Sequence, residues 1–289
     1  MSWPLASLSG MNLSPGQCAM ISCVLEATAR KPGNVHPDVS FTDLCYADFL
    51  AGAAAIRPVL DCAAESGVGR TVFECVRETR RLVPTNVNLG IALLLAPLAA
   101  VPPGVPLESG VCEVLNRLTV IDARAVYAAI RVAAPGGLGR AAEQDVANEP
   151  TEDLLTIMRR AADRDLVARQ YANNFEQVFW AASLLAGPVL ARLDWEQAVV
   201  TCHIELMSNF PDTLIARKRG SVESEESARR AAAVLAAEWP ATPESRRLIG
   251  DLDSWLRAVG HERNPGTTAD LVTASLYVAL RDGTMKSNG

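Results

Sequence analysis

Apolar residues recur every three or four positions along almost the whole chain, and this spacing limits what the chain can fold into. The clearest stripe spans 173–190 and comprises Phe175, Val178, Phe179, Ala182, Ala186 and Val189. Residues at this spacing lie on one face of an α-helix, whereas β-strands need alternating apolar and polar residues, a pattern that is almost absent here. The spacing therefore predicts an all-α protein, folded as a single-domain multi-helix bundle without a sheet.

Capping and turn signals indicate where the helices begin and end. Ser14 and Gln17 form a capping box around Pro15, which suits the first turn of a helix. A second helix is expected to open at 40–43 and to continue past Pro58 with a kink. Further helices are predicted over 71–83, 88–100, 121–134, 151–168, 173–190, 194–208, 222–238, 243–259 and 267–281. The stretches 101–106 and 143–150 are predicted to be loops.

Composition narrows the class of protein. The 289 residues include 27 basic and 33 acidic ones, and the formal charge of −6 argues against non-specific binding to nucleic acid. The seven cysteines contain no CxxC pair and are expected to be reduced. We see no signal peptide, and the longest apolar run, 91–101, is shorter than the roughly 18 residues that a membrane span needs. We therefore expect a soluble, cytoplasmic protein that acts without nucleic acid or a membrane; its apolar helices are compatible with a homodimer.

Four polar junctions, each marked by glycine or proline, separate the predicted helices. They are ARKPGNVHP (29–37), PTNVNLG (84–90), PDTLIARKRG (211–220) and RNPGTTADL (263–271). Each falls at a helix end, where backbone N–H or C=O groups are available to a ligand, although each one alone is also an ordinary turn. No segment between helices is long enough to be an interdomain linker. We therefore predict one domain over 1–289, with its core at 14–282, and a single cleft where the junctions meet.

The junction at 211–220 places an acid, Asp212, shortly before three adjacent cations, Arg217, Lys218 and Arg219. Such a cluster suits a phosphorylated ligand, because charge-assisted hydrogen bonds from arginine and lysine favour phosphate oxygens. The alternative is a solvated basic end of a helix, which the helix dipole also favours.

The last junction reads as a helix start. Gly266 followed by the hydroxyls of Thr267 and Thr268 could cradle a phosphate, with Arg263 adding charge. The alternative is an ordinary N-terminus, capped by Thr267 and with Asp270 in its first turn.

The first junction follows Glu26 and Arg30, which share a helix face and adjoin Lys31. This pattern fits either a solvated ion pair or an acid beside a phosphate-binding cation. Histidines 36, 203 and 261 lack the spacing of a metal site, and no HExxH or GxSxG motif is present. The glycines at 136–139 match neither a dinucleotide fingerprint nor a P-loop. Conventional hydrolase and nucleotide-binding folds are thereby set aside.

Taken together and in this order, the junctions resemble the triphosphoribosyl-dephospho-CoA synthase family over most of the chain. The matching features are Lys31-Pro32-Gly33 with His36-Pro37, Asp48-Phe49, Thr85 to Gly90, Asp212 to Arg217, and Asn264 to Leu271. The resemblance implies an all-helical enzyme that uses ATP and 3′-dephospho-CoA. In the implied reaction the ribose 2′-hydroxyl of dephospho-CoA attacks C1 of the ATP ribose, adenine leaves, and the triphosphate stays on the transferred sugar.

The resemblance and the residue chemistry together suggest the site. Asp212 and Glu26 are the candidate catalytic acids, and Asp212 and Asp270 are candidate ligands for an Mg²⁺ that accompanies ATP. Asp145 is a further acid near the proposed site. The candidates for binding substrate or phosphate are Lys31, Asn86, Asn88, Arg217, Lys218, Arg263, Asn264, Gly266, Thr267 and Thr268. Because Asp212 has the weakest structural explanation, we expect Asp212→Asn to fold normally and to lose turnover.

The sequence departs from the better-known family members. Where they carry a Thr-His-Lys-Gly, this chain has Asn86 to Gly90 and lacks a basic residue; after Asp212-Thr213 it also reads Ala216 to Gly220 instead of a serine-arginine-glycine-glycine pattern. These features, together with GGLG at 136–139 and Asp145-Val146, look more like a divergent branch from archaea and some bacteria, some of whose members accompany tetrahydromethanopterin-dependent one-carbon genes. Two alternatives follow: a related enzyme with a different acceptor in such a pathway, and a non-catalytic helical protein that binds a nucleotide or a partner.

Overall fold

The computed structural model of the protein describes residues 12–134 and 148–284. Within these ranges there are fifteen α-helices and no β-strand; the described part of the chain contains only isolated bridges, between His36 and Val39 and between Phe41 and Leu44. The predicted all-α class is therefore confirmed. The glycines at 136–139 and Asp145 lie outside the described residues.

In chain order the helices are α1 (Pro15–Thr28), α2 (Tyr46–Asp61), α3 (Ala63–Ser66), α4 (Val68–Leu82), α5 (Leu89–Ala99), α6 (Leu107–Asn116), α7 (Val120–Ala133), α8 (Leu154–Ala161), α9 (Leu166–Ala172), α10 (Glu176–Ala186), α11 (Trp195–Asn209), α12 (Thr213–Arg219), α13 (Ser221–Ala236), α14 (Pro243–Arg257) and α15 (Gly266–Arg281). A short 3₁₀ helix (Leu190–Arg192) precedes α11.

Two predicted helices differ from the structure in their bounds. The stretch 151–168 contains α8 and α9, since the Asp165 carboxylate accepts hydrogen bonds from the first backbone N–H groups of α9. The stripe at 173–190 is also shorter than predicted. Phe175 has a left-handed backbone (φ 65°) and is the residue before α10, and that helix ends at Ala186. By contrast, the predicted capping box of Ser14 and Gln17 is present at the start of α1.

Three further boundaries were not anticipated. Helix α2 begins at Tyr46, after the bridged segment 36–44, instead of at 40–43. Helix α6 follows the predicted proline-rich loop directly, and α12 occupies part of the junction at 211–220. Both are short, so neither gives an apolar stripe that is long enough to recognise from spacing.

Two apolar helices, α5 and α15, form the centre of the bundle. Every residue of α5 except Gly90 is buried, which is typical of a helix that neighbours surround. Helix α15 packs against α1, α5, α10 and α11, and one contiguous apolar cluster extends through these contacts. In the described ranges, no helix has the length and apolar character needed to cross a membrane. The N-terminal ends of α5 and α15 lie together, and this end of the bundle carries the site.

Candidate active site

The four junctions, far apart in sequence, border one cleft of about 1350 Å³. Asn34 lies in its wall from the first junction, Asn86 from the second, Thr213 from the third and Asn264 from the fourth. The volume exceeds the roughly 300–1,000 Å³ typical of a site for one small ligand. The cleft therefore has room for two substrates.

Direct contacts hold the first and fourth junctions together. The Asn34 side chain donates a hydrogen bond from Nδ2 to Oδ1 of Asn264, at 2.7 Å. Gly33 has φ +78°, and a Cβ at this position would lie 2.8 Å from Cδ of Pro265. Only glycine combines this backbone conformation with so close an approach. The Lys-Pro-Gly turn thus fixes Asn264 at the edge of the cleft.

Asp212 is fully buried and has a structural role that the sequence did not suggest. Its Oδ1 accepts hydrogen bonds from the backbone N–H groups of Leu214 (2.8 Å) and Ile215 (3.0 Å) at the start of α12. Its Oδ2 accepts bonds from the backbone N–H (2.7 Å) and hydroxyl (2.8 Å) of Thr268 in α15. Burial raises the pKa of this carboxyl, while these four bonds oppose the shift. Both oxygens are already occupied, so Asp212 joins two helix starts and is poorly placed to bind a metal or to remove a proton.

Lys31 is also fully buried, and its ammonium is used within the protein. Nζ lies 3.0 Å from Oε1 of Glu26 and also donates hydrogen bonds to the carbonyl oxygens of Glu26 and Ala29. It is therefore a partner of Glu26, and the structure gives no support to its predicted contact with phosphate. Arg30, the partner considered for Glu26 from the sequence, instead pairs with Asp38 and Glu196.

Glu26 and Asp270 are the two carboxylates of α1 and α15 that border the cleft at its polar end. Asp270 is partly exposed and has no hydrogen bond or ion pair to any residue that the structure describes. Burial raises the pKa of Asp270 well above its usual value, and the negative charges of Glu26, Asp212 and Asp165 raise it further. A carboxylate without a protein partner is available to a ligand.

A glycine makes room for Asp270 at the start of α5. A Cβ at Gly90 would lie 2.0 Å from Oδ2 of Asp270, a distance that real atoms do not reach. The Asn86 side chain accepts a hydrogen bond from the backbone N–H of Leu89, the first residue of the same helix, at 3.1 Å, and it borders the cleft. Asn88 does not border the cleft. It is buried, and its side chain donates a hydrogen bond to the Thr79 hydroxyl.

Of the three adjacent cations of α12, two border the cleft and one does not. Arg217 and Lys218 border the cleft. The Arg217 side chain is 32% exposed, and its guanidinium lies 3.8 Å from Oδ2 of Asp165, too far for a hydrogen bond. Arg219 is outside the cleft and pairs with Glu223. Two of the three cations are thus available to an anion.

The predicted residues of the fourth junction also divide into two groups. Gly266 and Thr267 border the cleft with Asn264, whereas Thr268 is turned towards Asp212. Arg263 bonds to Glu223 and lies over the Trp255 ring at 4.2 Å, away from the cleft. Its charge is therefore compensated within the protein, and the structure does not support its predicted role in binding phosphate.

Sequence reasoning missed a second group of charged residues in the cleft wall, at the turn between α8 and α9. They are Asp163, Arg164, Asp165 and Arg169. The run Asp-Arg-Asp at 163–165 was the available signal, but it lies inside a stretch predicted to be one helix. In the described part of the chain, no three His, Cys, Asp or Glu residues are grouped closely enough to hold a metal by themselves.

Comparisons with known proteins agree with the resemblance seen in the sequence. The family described as ATP:dephospho-CoA triphosphoribosyl transferase (CitG) matches residues 12–289. Among solved structures, a protein from Archaeoglobus fulgidus, provisionally described as a triphosphoribosyl-dephospho-CoA synthase, is similar with 28% sequence identity and a TM-score of 0.63. The match covers 81% of this chain and 99% of that one. The search of curated proteins gave no match. Since the family match extends over nearly the whole sequence, the chain belongs to the ATP:dephospho-CoA triphosphoribosyl transferase family.

Proposed function

We propose that the cleft binds ATP and dephospho-CoA together and transfers the 5-triphosphoribosyl group from ATP to the ribose 2′-hydroxyl of dephospho-CoA. A bond forms between the acceptor 2′-oxygen and C1 of the ATP ribose, and the bond from C1 to N9 of adenine breaks. The acceptor hydroxyl loses one proton and the departing adenine gains one. The observation that carries the proposal is the meeting of two carboxylates, Glu26 and Asp270, with two cations, Arg217 and Lys218, in one cleft of a member of this family.

Glu26 is the candidate general base in this arrangement. Its carboxylate borders the cleft, and Lys31 beneath it supplies a buried positive charge at 3.0 Å. The ion pair fixes the position of the carboxylate, which a base needs in order to take the proton of the attacking hydroxyl. A negative charge near C1 would also stabilise the positive charge that develops on the ribose as adenine leaves.

Arg217 and Lys218 are the candidate partners of the triphosphate. Neither forms a close ion pair in the described structure, since the nearest carboxylate oxygen to Arg217 is 3.8 Å away and Lys218 donates only to the His261 carbonyl, at 3.3 Å. Lys218 can therefore turn towards a phosphate at small cost. Asn86, Asn264, Gly266 and Thr267 add polar groups along the same wall.

Asp270 is the residue that best fits the Mg²⁺ expected with ATP. Its carboxylate lacks a partner among the described residues, whereas both oxygens of Asp212 are occupied. Magnesium commonly takes one or two protein carboxylates together with substrate phosphates, which agrees with the lack of a three-ligand group in the described ranges. When bound, the ion would neutralise part of the phosphate charge. Mg²⁺ would favour the ionised form of Asp270, because its positive charge would offset the repulsion from Glu26.

The test measures adenine release by chromatography from ATP and Mg²⁺, with and without dephospho-CoA. We expect release that depends on dephospho-CoA and falls at least about 100-fold in Glu26→Gln, the low end for the loss of a general base. Glu65→Gln provides the matched control, since Glu65 is exposed on α3 and outside the cleft. ATP binding without any adenine release, with dephospho-CoA or with a panel of related cofactor precursors, would instead indicate a non-catalytic nucleotide-binding protein.

A further inference from the structure

One wall of the cleft is apolar and lies apart from the carboxylates and cations of the proposed reaction. It is formed by α7 and α8, and it presents Val126, Tyr127, Ile130, Leu154, Ile157 and Met158. Leu154 and Val126 are completely or almost completely buried, while Ile130 and Ile157 are partly exposed. Apolar side chains that border a cleft favour a ligand with little charge, because contact removes apolar surface from water.

The position of this wall relative to the polar end follows from the turn between α8 and α9. The backbone N–H of Leu166, at the start of α9, donates to the Thr213 hydroxyl at 3.2 Å, and Asp165 lies beside Arg217. The turn therefore adjoins the third junction. From there α8 runs back eight residues, about 12 Å, to Leu154, whose backbone N–H donates to the carbonyl of Thr119 before α7.

The same turn carries cations between the polar end and the apolar wall. Arg169 donates from Nε to the Ala162 carbonyl at 3.0 Å, which fixes its side chain against the turn. Arg164 is exposed, borders the cleft and forms no ion pair with a residue that the structure describes. Along the cleft the order is therefore Glu26 and Asp270, then the turn with its two arginines beside Asp163 and Asp165, then an apolar wall.

This order corresponds to the chemistry of the acceptor. Dephospho-CoA carries, in sequence, a ribose with the attacking hydroxyl, a 5′-diphosphate and a long uncharged pantetheine arm. ATP has a ribose and phosphates but nothing apolar beyond its phosphates, and its adenine lies on the other side of the ribose. Resting on the proposed function, we propose that the wall of α7 and α8 binds the pantetheine arm and that Arg164 and Arg169 bind the diphosphate of the acceptor.

The experiment uses fragments of the acceptor as competitive inhibitors against dephospho-CoA. 4′-Phosphopantetheine carries the arm, and ADP carries the nucleoside diphosphate without it. In Ile157→Asp we expect the inhibition constant of 4′-phosphopantetheine and the KM for dephospho-CoA to rise at least about tenfold, because a charge in the wall opposes burial of the arm. The inhibition constant of ADP and the KM for ATP should stay within about twofold of the wild type, since neither ligand reaches the wall.

Ile121→Asp is the matched control, because Ile121 lies on α7 but is 71% exposed and outside the cleft. If Ile157→Asp does not fold, Ile157→Ala replaces it, with an expected rise of about threefold to tenfold from the lost apolar contact. An unchanged inhibition constant for 4′-phosphopantetheine, or a rise confined to the KM for ATP, would overturn the proposal.

Failure of this inference can be distinguished from failure of the proposed function. If wild-type protein releases no adenine with dephospho-CoA, the proposed function fails, and calorimetric binding of 4′-phosphopantetheine to the wild type and to Ile157→Asp still tests the wall. If adenine release is normal but the wall variant leaves that binding unchanged, only the inference fails.

Discussion

Asp212 and Asp270 are buried to different extents at neighbouring helix starts, and they differ in what surrounds their oxygens. Asp212 accepts four hydrogen bonds, two from α12 and two from Thr268. Asp270 accepts none from the described residues and packs against the position where Gly90 lacks a side chain. The first carboxylate stabilises the junction of two helices, whereas the second is left available at the cleft.

The comparison shows that the type of residue and its place in a motif do not decide its role. Both acids belong to junctions that the family resemblance singles out, and the negative charge of Asp212 contributes to the raised pKa of Asp270. What separates them is the number of donors within hydrogen-bonding distance. A carboxylate whose bonds are satisfied contributes to stability, while an unsatisfied one near other acids costs stability and can be retained for function.

The largest expected effect is on turnover, in Asp270→Asn. Loss of a magnesium ligand should lower adenine release by about 100-fold or more, since a bound metal supplies several kcal/mol of charge stabilisation. The thermal midpoint of the protein without ligands should stay the same or rise, because the amide removes a carboxylate whose ionised form Glu26 repels. Kinetics at increasing Mg²⁺ concentration check the role.

Added Mg²⁺ should restore part of the activity of Asp270→Asn but none of that of Glu26→Gln, because only the first variant weakens metal binding. Near-wild-type turnover of Asp270→Asn at low Mg²⁺ would contradict the role assigned to Asp270.

The fold was predictable to a greater extent than the roles of these residues. Helical spacing is a local property, so the all-α class and the capping box at Ser14 could be predicted from short windows of sequence. The end of α8 and the start of α9 at Asp165 could not be predicted in this way. An acid within a helical pattern can either cap a new helix or lie on the surface of a continuous one. The convergence of the junctions on one cleft was predicted, and the structure brings them together there.

The roles depend on partners that are distant in sequence. Asp212 meets Thr268 across 56 residues, and no window around either residue contains that contact. Lys31 was predicted to face phosphate because its turn suggested exposure, but the chain folds its ammonium back onto Glu26. The finer assignment to a divergent branch of the family stays a prediction, as does the homodimer.

The next effect is on stability, in Asp212→Asn. Asparagine can still accept the bonds from α12 through its oxygen, but its amide nitrogen then faces the Thr268 N–H, a donor against a donor. We expect the free energy of unfolding to fall by about 1–3 kcal/mol, from the one buried N–H left unsatisfied, because the Thr268 hydroxyl can accept a bond from the new amide. The sequence alone favoured a variant that folds normally, whereas the four hydrogen bonds to Asp212 favour a loss of stability. Urea denaturation provides the measurement.

Asp194→Asn is the control for this change, because Asp194 caps α11 through a single bond to the Gln197 N–H at 2.9 Å. Asparagine caps helices about as well as aspartate, so the loss there should be less than about 1 kcal/mol. Equal stability of Asp212→Asn and the wild type, together with a large loss of turnover, would return Asp212 to the chemistry.

The smallest expected effect comes from Gly90→Ala, which leaves both carboxylates in place and changes only the space beside Asp270. The new methyl would lie 2.0 Å from Oδ2 of Asp270, so that side chain must move while Asp212 keeps its four bonds. A displacement of this kind should lower adenine release by about tenfold, less than the loss of the carboxylate itself.

Gly250→Ala on α14 is the matched control, since a Cβ there meets nothing within 4 Å. It should leave turnover unchanged and, by restricting the unfolded chain, raise stability by about 0.5–1 kcal/mol. If Gly90→Ala kept full turnover, the position of Asp270 would not matter to the reaction, and the contrast between the two carboxylates would concern stability alone.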